Sequence, residues 1–411
     1  MKQMKEIPFN IPVEEAKQLL LDAVGIIDTE TIRLEEGLGR IAAAEIRAKE
    51  DIPAFDRSPL DGYAVRSVDL AGASQDSPVT LKVQEEVPAG YVASEPVKES
   101  CVVKICTGAP IPEGADAIVK FEDTEFTSEQ VTFFAEVKAN SNIVLKGSDI
   151  HEGRVVLEPG KVLDPADLGM LASLGYPEIS VFRKPEVILF STGDELIPVD
   201  GELGPGKIRN SSAYLLKGIL EKNGCRVTLG GIVKDSLEKL ENRVEEALKT
   251  ADIVMTTGGV SVGDYDYTPA VFQRIGAEVL FWKTRLKPGM ATVAAVKGGK
   301  LIVGLSGNPS AAAAGLYRAV MPALNKFAGR EILEPEEMTV SFLEPFKKKS
   351  PGGRVLPGRL CFKDGKTCIK MQSKQENGMI SNWGGCNVLA LVEKGRGPIE
   401  AGETCKALYL G

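Results

Sequence analysis

The chain has 411 residues, too many for one ordinary hydrophobic core, so two to four domains are expected. Hydrophobic residues make up 43% and charged residues 26%, and the formal net charge of −8 argues against a large nucleic-acid or anionic-membrane footprint. A single histidine, His151, excludes a multi-histidine zinc site, and also a Ser-His-Asp or Cys-His group unless His151 itself carries it.

Chemistry in this chain therefore falls to carboxylates, lysines and metal-bound water. Seven cysteines are scattered without a CxxC pair, the pattern of reduced thiols in a cytoplasmic protein. No apolar run reaches the roughly 20 residues of a membrane helix. The charged, amphipathic N-terminus carries no signal-peptide core.

In chain order, the spacing of Ile11, Ala16, Leu19, Leu20 and Ala23 predicts a helix over 11–24. AAAEIRAKE (42–50) reads as helix-forming. DIPAFDRSPLDGYAV (51–65) breaks the periodicity with two prolines. From there to residue 145, short strand-like runs alternate with turns, the last of them NIVLKG (142–147). A helix follows Asp164 and Pro165 and stops at Gly175. This order implies a helical domain over 1–50 and 146–182 that carries an inserted β-rich domain over 51–145.

Between 183 and 328 the chain runs three times from an apolar strand through a glycine-rich polar loop into a helix: VILF–STGDEL, DIVM–TTGGVSVGDYDYTP and LIVGL–SGNPSAAAAGLYRAV. Such repeats predict a parallel sheet with crossover helices. Strands are expected at 186–190, 226–233, 252–256, 278–282, 291–296 and 301–305. Helices are expected behind Ser211 or Ser212, Ser236, Thr268 and Asn308. From 329 to 411 the pattern turns to β again and suggests a small C-terminal barrel.

Ligands of such sheets bind where the strand-end loops lie. In the first loop, Ser191, Thr192 and Gly193 offer amides and hydroxyls, and Asp194 and Glu195 suit a cation, a ribose hydroxyl or an activated water. In the second, Gly258 and Gly259 can wrap an anion, Ser261 can donate to a phosphate, and Asp264 and Asp266 can hold a metal against it. FWKTRLKPGMA alternates Lys283, Arg285 and Lys287, which a regular strand would turn to one face as an anion cradle. SGNP puts Asn308 and Pro309 at a helix start. In the N-terminal half, Asp56, Ser58 and Asp61 sit in a proline-stiffened loop, and Thr107 lies in TGAP.

Taken together and in order, FDRSPLDGYAV, TGAPIPEGADAIV, STGDEL, TTGGVSVGDYDYT, FWKTRLKPG, GLSGNPSAA and QSKQENGMIS resemble the molybdopterin molybdenumtransferases, the MoeA type, similar also to the E domain of gephyrin. The resemblance spans nearly the whole chain. It implies insertion of molybdate into adenylated molybdopterin with release of AMP, dependent on Mg²⁺. It also implies a cytoplasmic homodimer whose site is shared between subunits, with a molybdopterin adenylyltransferase and apo-molybdoenzymes as partners. The 183–328 segment becomes the molybdopterin-binding domain.

By motif position the resemblance implies Asp61, Glu195, Asp266, Lys283 and Lys287 as catalytic residues. Thr107, Asp149, Ser191, Thr192, Gly193, Asp235, Gly258, Gly259, Ser261, Asn308 and Pro309 fall to the substrate, and Glu195, Asp264 and Asp266 to the metal. Arg57, Met290 and Ser306 depart from the usual pattern, which leaves tungstate as an alternative oxyanion. A gephyrin-like scaffold that anchors a partner's peptide is the alternative from another class.

Overall fold

The computed structural model describes residues 7–261, 267–350, 352–372 and 374–411. They form two compact units. One takes the described residues of Met1–Ala44, Pro159–Asp164 and Glu178–Gly411; the other takes Glu45–Glu158 and Pro165–Pro177.

The first unit is built on a seven-stranded sheet in the order Phe9–Ile11, Glu278–Thr284, Thr292–Lys297, Lys300–Leu305, Ile253–Thr257, Glu186–Thr192, Arg226–Val233. Six strands run one way and Thr292–Lys297 runs against them. That reversal follows from Gly298 and Gly299, both at positive φ, which close a two-residue turn between the paired Lys297 and Lys300. The expected strands are all present, and the expected parallel run extends from Lys300–Leu305 to the edge strand Arg226–Val233.

The central strand Ile253–Thr257 is buried along its whole length, as a strand covered on both faces must be. Its alternation sorts the side chains into two cores. Ile253 and Met255 pack with the helices Val13–Ala23, Ser212–Lys222 and Met321–Phe327, while Val254 packs with Leu240, Val244 and Ala247 of Leu237–Thr250. At the outer edge the pairing of Glu186–Thr192 with Arg226–Val233 slips between Leu189 and Phe190. A Cβ on Gly230 there would stand 2.0 Å from the Phe190 ring.

C-terminal to this sheet, Glu337–Phe342, Gly353–Lys363, Lys366–Lys370, Val388–Val392 and Thr404–Tyr409 close into a five-stranded barrel, because Gly353–Lys363 also pairs with Val388–Val392. The short strand Leu286–Lys287 adds in parallel to Gly353–Lys363. The barrel is thereby tied to the segment that carries Lys287.

The second unit holds a six-stranded sheet, Ala117–Lys120, Gly62–Val65, Cys101–Ile105, Val79–Val87, Gln130–Phe133, Thr124–Phe126, with an apolar cluster on each face. The helix Pro165–Ser173 sends Met170 into a third cluster with Ala48 and Ile150. Two local expectations fail. AAAEIRAKE is not helical: Ile41–Ala42 pairs with Glu178–Phe182, and Ile46–Arg47 pairs with Val155–Leu157, so tertiary pairing in two different units overrides its propensity. NIVLKG makes only an isolated bridge from Val144 to Arg57, because its amides and carbonyls serve the loop at 51–57.

All seven cysteines are free thiols. No helix among the described residues is long and apolar enough to cross a membrane.

Asp252 anchors the start of the central strand. It accepts two hydrogen bonds from Arg183, at 2.6 and 2.8 Å, and one from the Glu186 amide at 2.9 Å. Burial alone would raise its pKa, but the Arg183 guanidinium and the Glu186 amide outweigh burial and hold the carboxyl below its ordinary value. A lowered folded pKa stabilises the fold above the unfolded value, about 3.9, and the contribution fades as pH falls through the lower folded value. Asp252→Asn is expected to cost about 2 kcal/mol at neutral pH. In urea unfolding as a function of pH, the gap between variant and parent should narrow below about pH 4.

Candidate functional site

The carboxyl ends of Glu186–Thr192, Ile253–Thr257 and Lys300–Leu305 open on a cavity of about 740 Å³. The three glycine-rich loops form its walls. Thr192 and Glu195 come from the first, Gly258, Gly259 and Ser261 from the second, and Ser306, Asn308 and Pro309 from the third.

The loops fit because side chains are missing where they touch. Gly258 and Gly259 sit at φ +90° and +64°, and a Cβ on Gly258 would lie 2.4 Å from the Thr192 carbonyl oxygen. The Thr192 hydroxyl donates to the Thr257 carbonyl at 3.3 Å, fastening one strand end to the next. Ser191 is fully buried. It accepts from the Thr257 hydroxyl at 2.9 Å and donates to Asn210 Oδ1 at 3.0 Å. Asn210 Oδ1 also accepts the Ala213 amide at 3.4 Å, at the start of Ser212–Lys222.

Asn210 and its neighbours Arg209, Ser211 and Ser212 line the cavity too, and sequence reasoning passed them over. IRNSSAY read only as a helix start. Ser212 ties that start to the third loop by donating to the Gly307 carbonyl at 2.8 Å. Asn377 and Gly378 form a further unforeseen wall. The Asn377 carbonyl accepts the Ser310 and Ala311 amides at 3.1 and 3.3 Å, the first free amides of the helix behind Pro309. The segment is clamped nearby, where Trp383 donates to Ser310 Oγ at 3.0 Å and stacks on Tyr317 with ring centroids 5.7 Å apart.

The basic run does not present its three cations to one face. Lys287 is exposed and lines the cavity beside Pro288, Gly289 and Met290. Lys283 is 7% exposed, with its ammonium 5.7 Å from the Phe9 ring centroid and 5.9 Å from that of Trp282. Arg285 donates to the Asn10 carbonyl at 2.8 Å. The physical reason is backbone: Lys283 adopts φ +70°, and the strand ends at Thr284, so side-chain alternation stops before Lys287. No local feature of FWKTRLKPG announces a left-handed lysine.

Glu195 stands exposed at the cavity wall, its carboxylate folded back over Gly193. Asp194 and Asp235 lock their loops reciprocally: the Asp194 amide donates to Asp235 at 3.2 Å, and the Asp235 amide donates to Asp194 at 3.4 Å. Gly193 and Asp194 line a second cavity of about 490 Å³. Asp264 and Asp266 lie outside the described residues. Among the described residues no group of three metal-ligating side chains is gathered. One exposed carboxylate beside several hydroxyls suits a hard cation that keeps most of its waters and leans on a substrate phosphate.

In the second unit, two of the remaining candidates meet. Asp61 Oδ1 accepts the Thr107 amide at 2.7 Å and the Thr107 hydroxyl at 2.9 Å. The amide first, and then the hydroxyl, hold the Asp61 carboxyl below its ordinary pKa. Buried Ser58 braces this corner, accepting the Gly108 amide on its carbonyl at 2.8 Å and donating its own amide to Ala109 at 3.0 Å. Asp149 is exposed on the segment stitched to the same proline-stiffened loop, with its amide donating to the Ile52 carbonyl at 3.0 Å. DRSPLDG, TGAP and KGSDI are thus three pieces of one loop cluster.

Family profiles match in register with this architecture. The MoeA N-terminal region (domain I and II) matches residues 11–175, the probable molybdopterin binding domain matches 188–326, and the MoeA C-terminal region (domain IV) matches 339–410. A molybdopterin molybdenumtransferase of Staphylococcus aureus strain Mu50 is 38% identical over 394 residues, 96% of this chain and 94% of its own length. One from Staphylococcus epidermidis is 39% identical over 360 residues, 87% of this chain and 86% of its own. The crystal structure of a molybdopterin biosynthesis MoeA protein from Pyrococcus horikoshii OT3 superposes with a TM-score of 0.82 at 30% identity, covering 97% of this chain and all of that one. With the motifs in order, the domains in order and the fold matched end to end, the chain belongs to the molybdopterin molybdenumtransferase family, the MoeA proteins of molybdenum cofactor biosynthesis.

Proposed function

We propose that this molybdotransferase inserts molybdate into adenylated molybdopterin and releases AMP, with Mg²⁺ required. The observation that carries the reading is a single cavity lined by Glu195, Thr192, Gly258, Gly259, Ser261, Lys287 and Asn308 in a chain of this family. The substrate is polyanionic at its phosphoanhydride, and molybdate is an oxyanion. Both call for cations and hydrogen-bond donors set in a water-poor wall.

Glu195, with Asp266 and Asp264 of the GDYDY motif, would hold the cation, which when bound supplies charge neutralisation on the phosphoanhydride oxygens. Lys287 adds a positive charge at the cavity wall, and Ser261 adds a hydroxyl donor next to the left-handed glycines. The reciprocal Asp194–Asp235 contact keeps the Glu195 loop in place. Asp61 serves as a carboxylate held ionised by Thr107. Lys283 acts through position: its buried ammonium packs on Phe9 and Trp282, and the Trp282 indole donates to the Val260 carbonyl at 3.0 Å, bracing the second loop. The working form is taken to be a cytoplasmic homodimer. An adenylyltransferase supplies its substrate and apo-molybdoenzymes receive its product.

The test is reconstitution of purified protein with adenylated molybdopterin and Mg²⁺, titrating molybdate and tungstate in parallel while AMP release is followed. Release that depends on molybdate is the expected result. Release with tungstate alone would reassign the oxyanion, and none with either would remove the transferase reading. Glu195→Gln is expected to lower the rate about 10²–10³-fold, the range for one electrostatic group at a reacting centre. Wild-type turnover in that variant would take Glu195 out of the mechanism. Thr107→Val removes the hydroxyl donor that helps keep Asp61 ionised. Its acid limb of activity should therefore move to higher pH, since a carboxyl that loses a donor protonates sooner.

A further inference from the structure

Two of the seven free thiols face each other in the C-terminal barrel. Gly353–Lys363 and Lys366–Lys370 form an antiparallel hairpin closed by Asp364 and Gly365, both at positive φ, and its register sets Cys361 directly opposite Cys368. The Cα atoms of directly opposite residues stand about 4.5–5.5 Å apart, inside the roughly 4.4–6.8 Å that a disulfide spans. Alternation sends both side chains to the same face of the hairpin. The Cys361 thiol lies 3.5 Å from the Cys368 carbonyl oxygen, and the Cys368 thiol 3.6 Å from that of Lys366. Joining the two sulfurs therefore takes side-chain rotation and no change of register. No other two cysteines among the described residues are register partners.

The two thiols differ in exposure as a two-step exchange requires. Cys361 is half-buried, and Cys368 is buried at 4% exposure. The first can meet a reagent, and the second can only resolve the product. The charge around the pair is one-sided. Arg359 stands opposite Lys370, and Lys363 opposite Lys366, on the same face and flanking the cysteines on either side. All four are exposed, and none makes a side-chain hydrogen bond or ion pair among the described residues. Like charges directly opposite destabilise a sheet, so this arrangement does nothing for the fold. It does concentrate anions beside the thiols. Burial first, then Cys368 and Glu344, push the Cys361 thiol up, while Lys370 and Arg359 pull it the other way.

We propose that this hairpin is a reversible thiol–disulfide site, and that it reacts with small disulfides that carry carboxylates. The Cys361 thiolate attacks one sulfur of the reagent and breaks its S–S bond. One half leaves as a thiolate and takes up the proton that Cys361 gave up. Cys368 then loses its proton, attacks Cys361 Sγ and expels the other half, which closes the cross-strand bond. The chain gives up two hydrogens with their electrons, and the small disulfide becomes two thiols. An excess of thiol runs the same steps backward. The proposal does not depend on the transferase reading.

The experiment treats the reduced full-length protein with oxidised glutathione, which is anionic, and in parallel with cystamine, which is cationic. Intact mass and peptide mapping of blocked thiols follow the products. Oxidised glutathione is expected to leave a Cys361–Cys368 disulfide with no adduct retained, and dithiothreitol should restore both thiols. In Cys368→Ser the reaction should stop at a mixed disulfide on Cys361, and in Cys361→Ser the thiol of Cys368 should stay unmodified. Circular dichroism checks that both variants fold, and the mapping of wild type needs no variant at all. Raising salt to about 1 M, where the Debye length is about 3 Å, should slow glutathione and speed cystamine. Lys363→Glu combined with Lys366→Glu should slow glutathione about tenfold, the low end of electrostatic steering. A stable glutathione adduct on wild-type Cys361 without the cross-strand bond overturns the proposal, as does a hairpin that stays reduced while other thiols react. Rates that ignore both salt and the two lysines overturn its choice of an anionic reagent.

Discussion

Everything in the site depends on how closely Gly258 approaches Thr192. Thr192 ends one strand and Gly258 follows the end of its neighbour, and the second loop folds back over the first strand's last residue. Any side chain at Gly258 would run into the Thr192 carbonyl. Because the gap is that small, the Thr192 and Thr257 groups can hydrogen-bond across the strand ends. The left-handed backbone that only glycine adopts cheaply is what makes the concavity, and the polar residues follow the path it sets.

A hydroxyl chain runs beneath that surface. Thr257 donates to Ser191, and Ser191 donates to Asn210, so three elements distant in sequence share one buried polar thread. In a low-dielectric setting the hydrogen bonds of such a thread reinforce one another, and the thread fixes the orientation of its last member. Asn210 is that member. The thread transmits the position of the central strand to the loop between the two cavities.

The strand-end loops were legible in the sequence because their signals are local. An apolar run followed by glycines and then by a capped helix has few other readings, and the three instances lie in one parallel neighbourhood. Asp61 and Thr107 stood out as residues of stiffened loops, and their roles came from the family resemblance; nothing in either motif says that the threonine amide will meet the carboxylate. What escaped was tertiary. Asn377 reaches the cavity because Trp383 docks on Ser310, a contact that no periodicity encodes. Lys283 leaves the shared face because of one positive φ. AAAEIRAKE has the composition of a helix, yet its two halves are recruited as strands by partners more than a hundred residues away.

The slip at Leu189 and Phe190 has a consequence for association. Arg226–Val233 is the long outer strand of the central sheet, and the outward edge of its eight residues would ordinarily offer a template to another chain. Gly230 sits under the Phe190 ring and Gly231 takes φ +87°, so the regular register of the strand is interrupted halfway. Addition of a further strand along this edge is therefore opposed at the position where a glycine gives way to an aromatic ring.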